Sequence, residues 1–399
     1  MSQIVKTIFV LCALFPPVTF SGSLKLSGFA SGELRGFINK PQYDRQFSGF
    51  QSSFVIQPEI RFQTSTGLEQ FSFVPFARLD SRDDKRSHVD VREAYWEHIS
   101  DQWVVLVGVN RVFWGVVESN HLVDIINQTD QVEDVAGEEK LGQPMLSLAT
   151  QREWGDLSLL VMPWFRERSF PSEEGRLRPQ IAFDRNPRYE SAAKREHVDL
   201  AVRYSHYIGD WDIGFYYFKG TGREPRLLLN EDKNRLLIQY DIIDQIGADV
   251  QLTQGVWLWK LEVVARLQND NKFVAAVGGF EYTVYQFVNS AADLGFLIEY
   301  MYDDRVEDPT IAPPTIFNND IFLATRLGLN DAQNSSLLAG VLIDRINRSS
   351  MLSIEAKRRL SDHWSVEFES RWFLNIKENS SLAPFKKDSF LLLKLARYF

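Results

Sequence analysis

A single cysteine, Cys12, is all that the 399 residues carry, and it lies in an apolar run near the start. Disulfide frameworks and cysteine-based metal sites are therefore excluded from the rest of the chain. No apolar stretch reaches the roughly 20 residues that a membrane-crossing helix needs. Histidine is scarce, with six in all: His88, His98, His121, His197, His206 and His363. There is no HExxH run, no paired metal-ligand spacing and no glycine-rich phosphate loop, so neither a metal nor a cofactor is expected. Ser87-His88 with Asp90, and His121 with Asp124, supply residue types that hydrolases use, but no nucleophile motif surrounds them. An enzyme is not expected. Basic residues are outnumbered, 44 against 53 acidic, for a net charge of −9, which argues against nucleic acid as a partner.

What the chain does have begins at its N-terminus. Lys6 precedes the apolar run Thr7 to Phe15, and Pro16-Pro17 leads into the small residues Thr19, Ser21, Gly22 and Ser23. This is the three-part layout of an export signal spanning 1–23, with cleavage after Ser21 or Ser23 fitting equally well. Removal of Lys6 and Cys12 with it leaves residues 24–399 as one cysteine-free domain.

Beyond that point the apolar residues follow period two. Trp257, Trp259, Leu261, Val263, Ala265 and Leu267 alternate with Lys260, Glu262, Val264, Arg266 and Gln268. Phe54, Ile56, Ile60 and Phe62 alternate with Gln57, Glu59, Arg61 and Gln63, and Trp364, Val366, Phe368, Trp372 and Leu374 with Glu367, Glu369 and Arg371. One face is apolar and the other ionised, which defines strands between two environments. Runs of about 10 to 12 residues match a tilted membrane crossing, where soluble strands average about 5 or 6.

The pattern yields strands near 23–37, 53–64, 69–80, 88–99, 102–110, 145–153, 156–165, 197–208, 211–219, 236–253, 256–268, 273–286, 292–302, 319–329, 336–346, 350–360, 363–375 and 387–399. That is about 18, with 16 and 20 left open. Short turns alternate with longer polar loops, and both termini fall on the short side. An all-β, antiparallel, up-and-down transmembrane barrel meets these requirements, since closure leaves no unpaired backbone edge in lipid. Five of the ten tryptophans, Trp103, Trp154, Trp211, Trp257 and Trp364, sit beside short turns. Level with one another they would form an interfacial girdle.

In these features the chain resembles the Gram-negative outer-membrane β-barrel class. Such barrels typically end in an aromatic residue behind alternating apolar ones. Phe399 is terminal, with Leu391, Leu393 and Leu395 in its phase, while Arg397 stands where an apolar residue is usual. The resemblance implies the cell outer membrane as destination, the barrel assembly machinery as a partner that reads this signal, and contact with outer-membrane lipids. Acidic outer loops are compatible with divalent-cation bridging to lipopolysaccharide.

A narrower likeness covers Arg92 to about Asp130. This stretch resembles a segment of large porin-like barrels with an R-x-V-x-W-G motif, an acidic residue and a V-D-x-I-N stretch, matched here by Arg111, Trp114, Gly115, Glu118, Asp124 and Asn127. The family usually has Gln and Pro where this chain has Val112 and Gln128. Residues 128–141 are acidic and too polar to face lipid, so 111–142 is expected to fold inward as a constriction. Arg111, Trp114, Glu118, His121, Asp124, Asn127 and Asp130 are its candidate residues, with Arg111 and Asp124 alternatively forming a buried pair that fixes the loop.

Strand phase adds Glu59, Arg61, Lys260, Glu262, Arg266, Glu367, Glu369 and Arg371 as lumen candidates. The two signs balance, so no anion-specific ladder is expected. The reading is a porin-like channel for passive diffusion of small hydrophilic solutes. A plugged structural or adhesive barrel, and less so an outer-membrane hydrolase, are its alternatives. Nothing in the chain identifies an oligomeric seam.

Overall fold

The computed structural model describes residues 21–399; the expected export signal up to Phe20 lies outside the described residues. In chain order the strands are β1 (Gly22–Phe37), β2 (Phe50–Thr64), β3 (Glu69–Asp80), β4 (His88–Ile99), β5 (Val104–Asn110), β6 (Gln143–Arg152), β7 (Gly155–Met162), β8 (Arg188–Tyr189), β9 (Asp199–Ile208), β10 (Trp211–Thr221), β11 (Arg226–Leu229), β12 (Leu236–Tyr240), β13 (Ile242–Gln254), β14 (Trp257–Gln268), β15 (Asn271–Val284), β16 (Asp293–Asp303), β17 (Asn319–Gly328), β18 (Ser336–Asp344), β19 (Ser350–Arg359), β20 (Trp364–Leu374) and β21 (Phe390–Tyr398).

Eighteen of these form one antiparallel sheet, each pairing with its neighbours in chain order, and β1 pairs with both β2 and β21. The sheet is thus a closed barrel with no free edge. The remaining three, β8, β11 and β12, make a small separate sheet in the loops. Here the sequence reading needs correction. The run 236–253 is two strands, because Asp241 turns the chain between β12 in the loop sheet and β13 in the wall.

Alternation decides which way each side chain points. Leu24, Leu261, Phe296 and Leu393 are exposed on the outer face, whereas Val55, Glu262, Arg266 and Glu299 are buried inside. Leu391, Leu393 and Leu395 all face outward, and Phe399 closes the chain through its N–H to the Gly28 carbonyl at 3.1 Å. Trp103, Trp154, Trp211, Trp257 and Trp364 all stand exposed at the end where the short connections lie. The tight turn between β14 and β15 uses Asn269 and Asp270, both with positive φ, as a two-residue hairpin turn requires.

The wall has one irregularity that matters to the interior. At Val74 and Pro75 the β3–β4 register shifts, and the bulge turns both Arg92 and Glu93 inward. Strict alternation would place Arg92 outside with Ala94 and Trp96.

The long loops draw together over the opposite end. Residues 163–198 reach across to the connection between β20 and β21. There Arg176 Nε donates to Asp388 Oδ1 at 2.6 Å with both side chains buried, and the Leu177 N–H meets Asp388 Oδ2 at 2.9 Å. Leu177, Leu382, Phe385 and Phe47 pack together above the barrel.

Candidate functional site

The connection between β5 and β6, residues 111–142, runs into the barrel and across it. A segment without regular structure must find partners for its N–H groups, and the far wall supplies them. Glu262 on β14 accepts from the N–H groups of Val116 (2.7 Å), Val117 (3.2 Å) and Val123 (3.2 Å). Glu299 on β16 accepts from the N–H groups of Glu118 (2.9 Å) and Ser119 (2.8 Å) and from the Ser119 hydroxyl (2.5 Å). Both carboxylates are fully buried, where charge is tolerated only with such a set of donors.

The porin-like motif residues build the loop's own frame. The Asn127 side chain accepts from the Val112 N–H at 2.8 Å and donates to the carbonyls of Asn110 and Leu141, so it ties the loop's entry to its exit. Trp114 is buried against Tyr216, with the Arg203 guanidinium 5.0 Å from its ring. Asp124 accepts from the Trp114 N–H at 3.4 Å and pairs with Lys140 at 3.2 Å. Burial nonetheless holds its carboxyl above the ordinary range. Arg111 goes to Glu93 at 3.3 Å. The alternative of an Arg111–Asp124 pair is therefore overturned, because the bulge brings Glu93 inward on the side where Arg111 emerges.

The near wall grips the loop through charge. Arg92 Nη2 donates to Asp130 Oδ2 at 2.7 Å, and Arg78 bridges Glu33 (2.5 Å) and Glu133 (2.6 Å). Burial works to raise the Asp130 carboxyl, but the nearby His88 imidazole, Arg92 and the Ser169 hydroxyl outweigh it and hold it well below the usual carboxylate range. His88, Asp130 and Glu133 place ligand-type atoms within 4.8 Å of one another. Their carboxylate oxygens already receive the Arg92 and Arg78 guanidiniums, so the arrangement is an ion-pair network that a divalent cation would have to disrupt.

Beside the loop lies a cavity of about 1130 Å³. One side is the acidic stretch with Asp134, Glu138 and Glu139; the other is the inner wall from β17 round to β1, with Arg326, Lys357, Arg371, Lys394 and Arg35. It extends from Leu382 and Phe385 among the long loops to Ser336 and Lys394 toward the short turns. Arg371 meets Asp134 at 3.5 Å and Glu369 at 3.1 Å, Arg326 meets Glu118 at 2.5 Å, and Glu367 bridges Lys357 (2.9 Å) and Lys394 (3.1 Å).

Of the expected residues, Glu118, His121, Asp124, Asn127, Arg266, Glu367, Glu369 and Arg371 line this cavity. Arg111, Trp114, Asp130, Glu59, Arg61, Lys260 and Glu262 do not. Trp114 and Asp130 are loop residues buried against the wall, Glu262 is buried in the wall under the loop, and Glu59 and Arg61 pair with each other at 3.4 Å near the short-turn end. Sequence reasoning missed Arg78, Arg92 and Glu133. It also missed Glu224, a cavity-lining loop residue paired with Arg266 at 2.6 Å and Arg305 at 3.4 Å. Burial would raise the Glu224 carboxyl, but Arg305, Arg266 and Arg168 together hold it well below its ordinary value.

No family model matches the chain, and no curated protein does. Solved structures do. A BenF-like porin from Pseudomonas fluorescens Pf-5 superposes with a TM-score of 0.53 at 11% identity, over 95% of this chain and 98% of that one. OmpT, an outer-membrane protein of Vibrio cholerae, gives 0.48 at 8% identity over 95% and 100%, and a mutant Rh. blastica porin 0.45 at 12% over 94% and 100%. The first of these supports a porin-type barrel fold.

Proposed function

We propose that this protein is an outer-membrane channel for passive diffusion of small hydrophilic solutes, exported by its N-terminal signal and inserted by the barrel assembly machinery. The observation that carries the reading is the cavity beside the in-folded loop. A barrel closed by 18 strands encloses more space than its wall side chains fill, and here part of that space is taken by a loop whose acidic edge faces a wall of paired acidic and basic side chains. Such a constriction sets both cross-section and local field, the two quantities that govern passive selectivity. The exposed apolar outer face needs hydrocarbon around it, and tryptophans at the short-turn end suit the lipid-water boundary. Lipids and lipopolysaccharide are the surrounding partners in this reading.

The test is single-channel conductance of the refolded mature protein in a planar bilayer. Discrete, stable openings whose reversal potential under a salt gradient reports ion preference are expected. Removal of 128–141 should raise the conductance. A second reading, a plugged barrel, is favoured by the long loops drawn over the mouth by Arg176 and Asp388. A folded, heat-modifiable barrel that stays silent would establish it over the first.

A further inference from the structure

The cavity wall is not uniformly polar. Phe322, Leu342, Met351 and Phe373 stand directly opposite one another on four consecutive strands, β17 to β20. All four point inward and all four line the cavity. Neighbouring strands are about 4.8 Å apart, so this row runs for roughly 14 Å around the lumen. Its placement has no lipid-facing explanation, because these side chains share the phase of Arg326 and Arg371. Part of the row packs against Leu122 and Val135 of the in-folded loop, yet Phe322 and Met351 keep surface that only the cavity can cover. Above the row, Ile316 and Phe385 continue the apolar lining toward the long loops.

Below the row the wall changes character. Four residues further along the strands, Glu355 and Glu369 lie opposite each other, and Arg35 follows across Leu392. Glu355 makes no ion pair or hydrogen bond among the described residues. The Arg35 guanidinium makes none either and rests 4.8 Å from the centre of the Phe390 ring. Its Nε is buried without a partner. An anion and a cation, neither with a direct partner among the described residues, thus lie on the same inner face three strands apart, next to an apolar shelf.

We propose that the channel favours small zwitterions carrying an apolar side chain, the apolar part sliding along Phe322, Leu342, Met351 and Phe373 while the ammonium is drawn by Glu355 and, three strands further round the wall, the carboxylate by Arg35. This rests on the channel reading and specifies its solute class. Ammonium and carboxylate groups are matched by one free charge of each sign, and apolar surface leaving water at the shelf gains free energy that a polar side chain of similar size does not.

Proteoliposome swelling with glycine, serine, leucine and phenylalanine separates the possibilities, since the four share one head group. Simple diffusion through a water-filled pore ranks them by size, glycine fastest. The proposal expects leucine and phenylalanine to enter at least about twofold faster than that ranking allows, and leucine uptake to saturate. The double variant F322S/M351S should lower the leucine-to-glycine ratio, and Glu355→Gln should raise the leucine concentration that gives half-maximal uptake, with folding checked by heat-modifiability. Rates that fall strictly with size in the unaltered protein overturn the proposal and leave the channel intact. Liposomes silent to glycine as well overturn the channel reading and the proposal with it.

Discussion

Gly115 sits so close to Glu262 that a Cβ added to it would lie 3.0 Å from the carboxylate Oε1 and 3.1 Å from His121 Nδ1, and its φ is +142°. The backbone conformation therefore demands glycine at the point where the loop meets the far wall, and an added Cβ would also push Glu262 and His121 aside by a few tenths of an ångström. A G115A substitution should cost about 1–3 kcal/mol of docking and leave the barrel folded. Single-channel records should then show more frequent transitions between sub-levels than the unaltered protein. A quiet trace would mean that the loop is held without this contact.

Glu262 and Glu299 are the principal acceptors on the far wall. Glu262→Gln keeps one acceptor oxygen but introduces an NH2 that faces the Val123 N–H, donor against donor. Hydrogen bonds to a charged group contribute about 1.5–3 kcal/mol each, so E262Q and E299Q should each loosen the loop and the pair should do so more than additively. Limited proteolysis of detergent-solubilised protein should show cleavage within 116–123 in the variants and none in the parent.

Acidity should act on the same loop in a defined direction. Burial works to lower the His121 imidazole, but Glu138, Glu262 and Asp124 outweigh it and its value is raised. A raised histidine contributes stability that is complete below its ordinary value of about 6.5 and is lost as pH rises through the raised one. Asp124, raised by burial, has the same sign in a more acidic window, its contribution being complete below its ordinary value and lost as pH rises through the raised one. Asp130 has the opposite sign: its contribution is complete above the ordinary value of about 3.8–3.9 and is lost only as pH falls through its lowered one. Loop docking should therefore weaken above neutrality and again in strong acid. Current noise measured from pH 4 to 9 should rise on the alkaline side, and His121→Gln should flatten that limb.

Much of this architecture was legible in the chain, and the reasons are physical. Period-two alternation over long runs, as in Trp257 to Gln268, leaves few alternatives to a membrane-barrel strand, and the acidic stretch 128–141 could not face lipid. The motif residues Gly115, Asp124 and Asn127 pointed to the right loop, although their work is to frame it, and Trp114 is packing. What alternation could not reveal is any place where phase breaks. The bulge at Val74 and Pro75 swings Arg92 inward to Asp130 and aligns Glu93 with Arg111, and no periodic reading recovers that. Glu224 was hidden for another reason, since loop residues have no phase, and its partners Arg266 and Arg305 lie 42 and 81 positions away along the chain.

The contact between Arg176 and Asp388 governs the opposite end of the lumen. Both side chains are buried, and the guanidinium also donates to the Lys387 carbonyl at 2.6 Å. Removing one member of a buried pair leaves the other charged and desolvated, at a cost of about 3–5 kcal/mol. Asp388→Asn retains the shape but not the charge, and so strands Arg176 between backbone carbonyls. The wall strands do not depend on this contact, so the barrel should keep its heat-modifiable mobility while residues 163–198 become the first site of protease cleavage. If the loops restrict entry, conductance should also rise in D388N. Greater cleavage with unchanged conductance would locate the restriction at the in-folded loop alone, where Glu262 and Glu299 hold it.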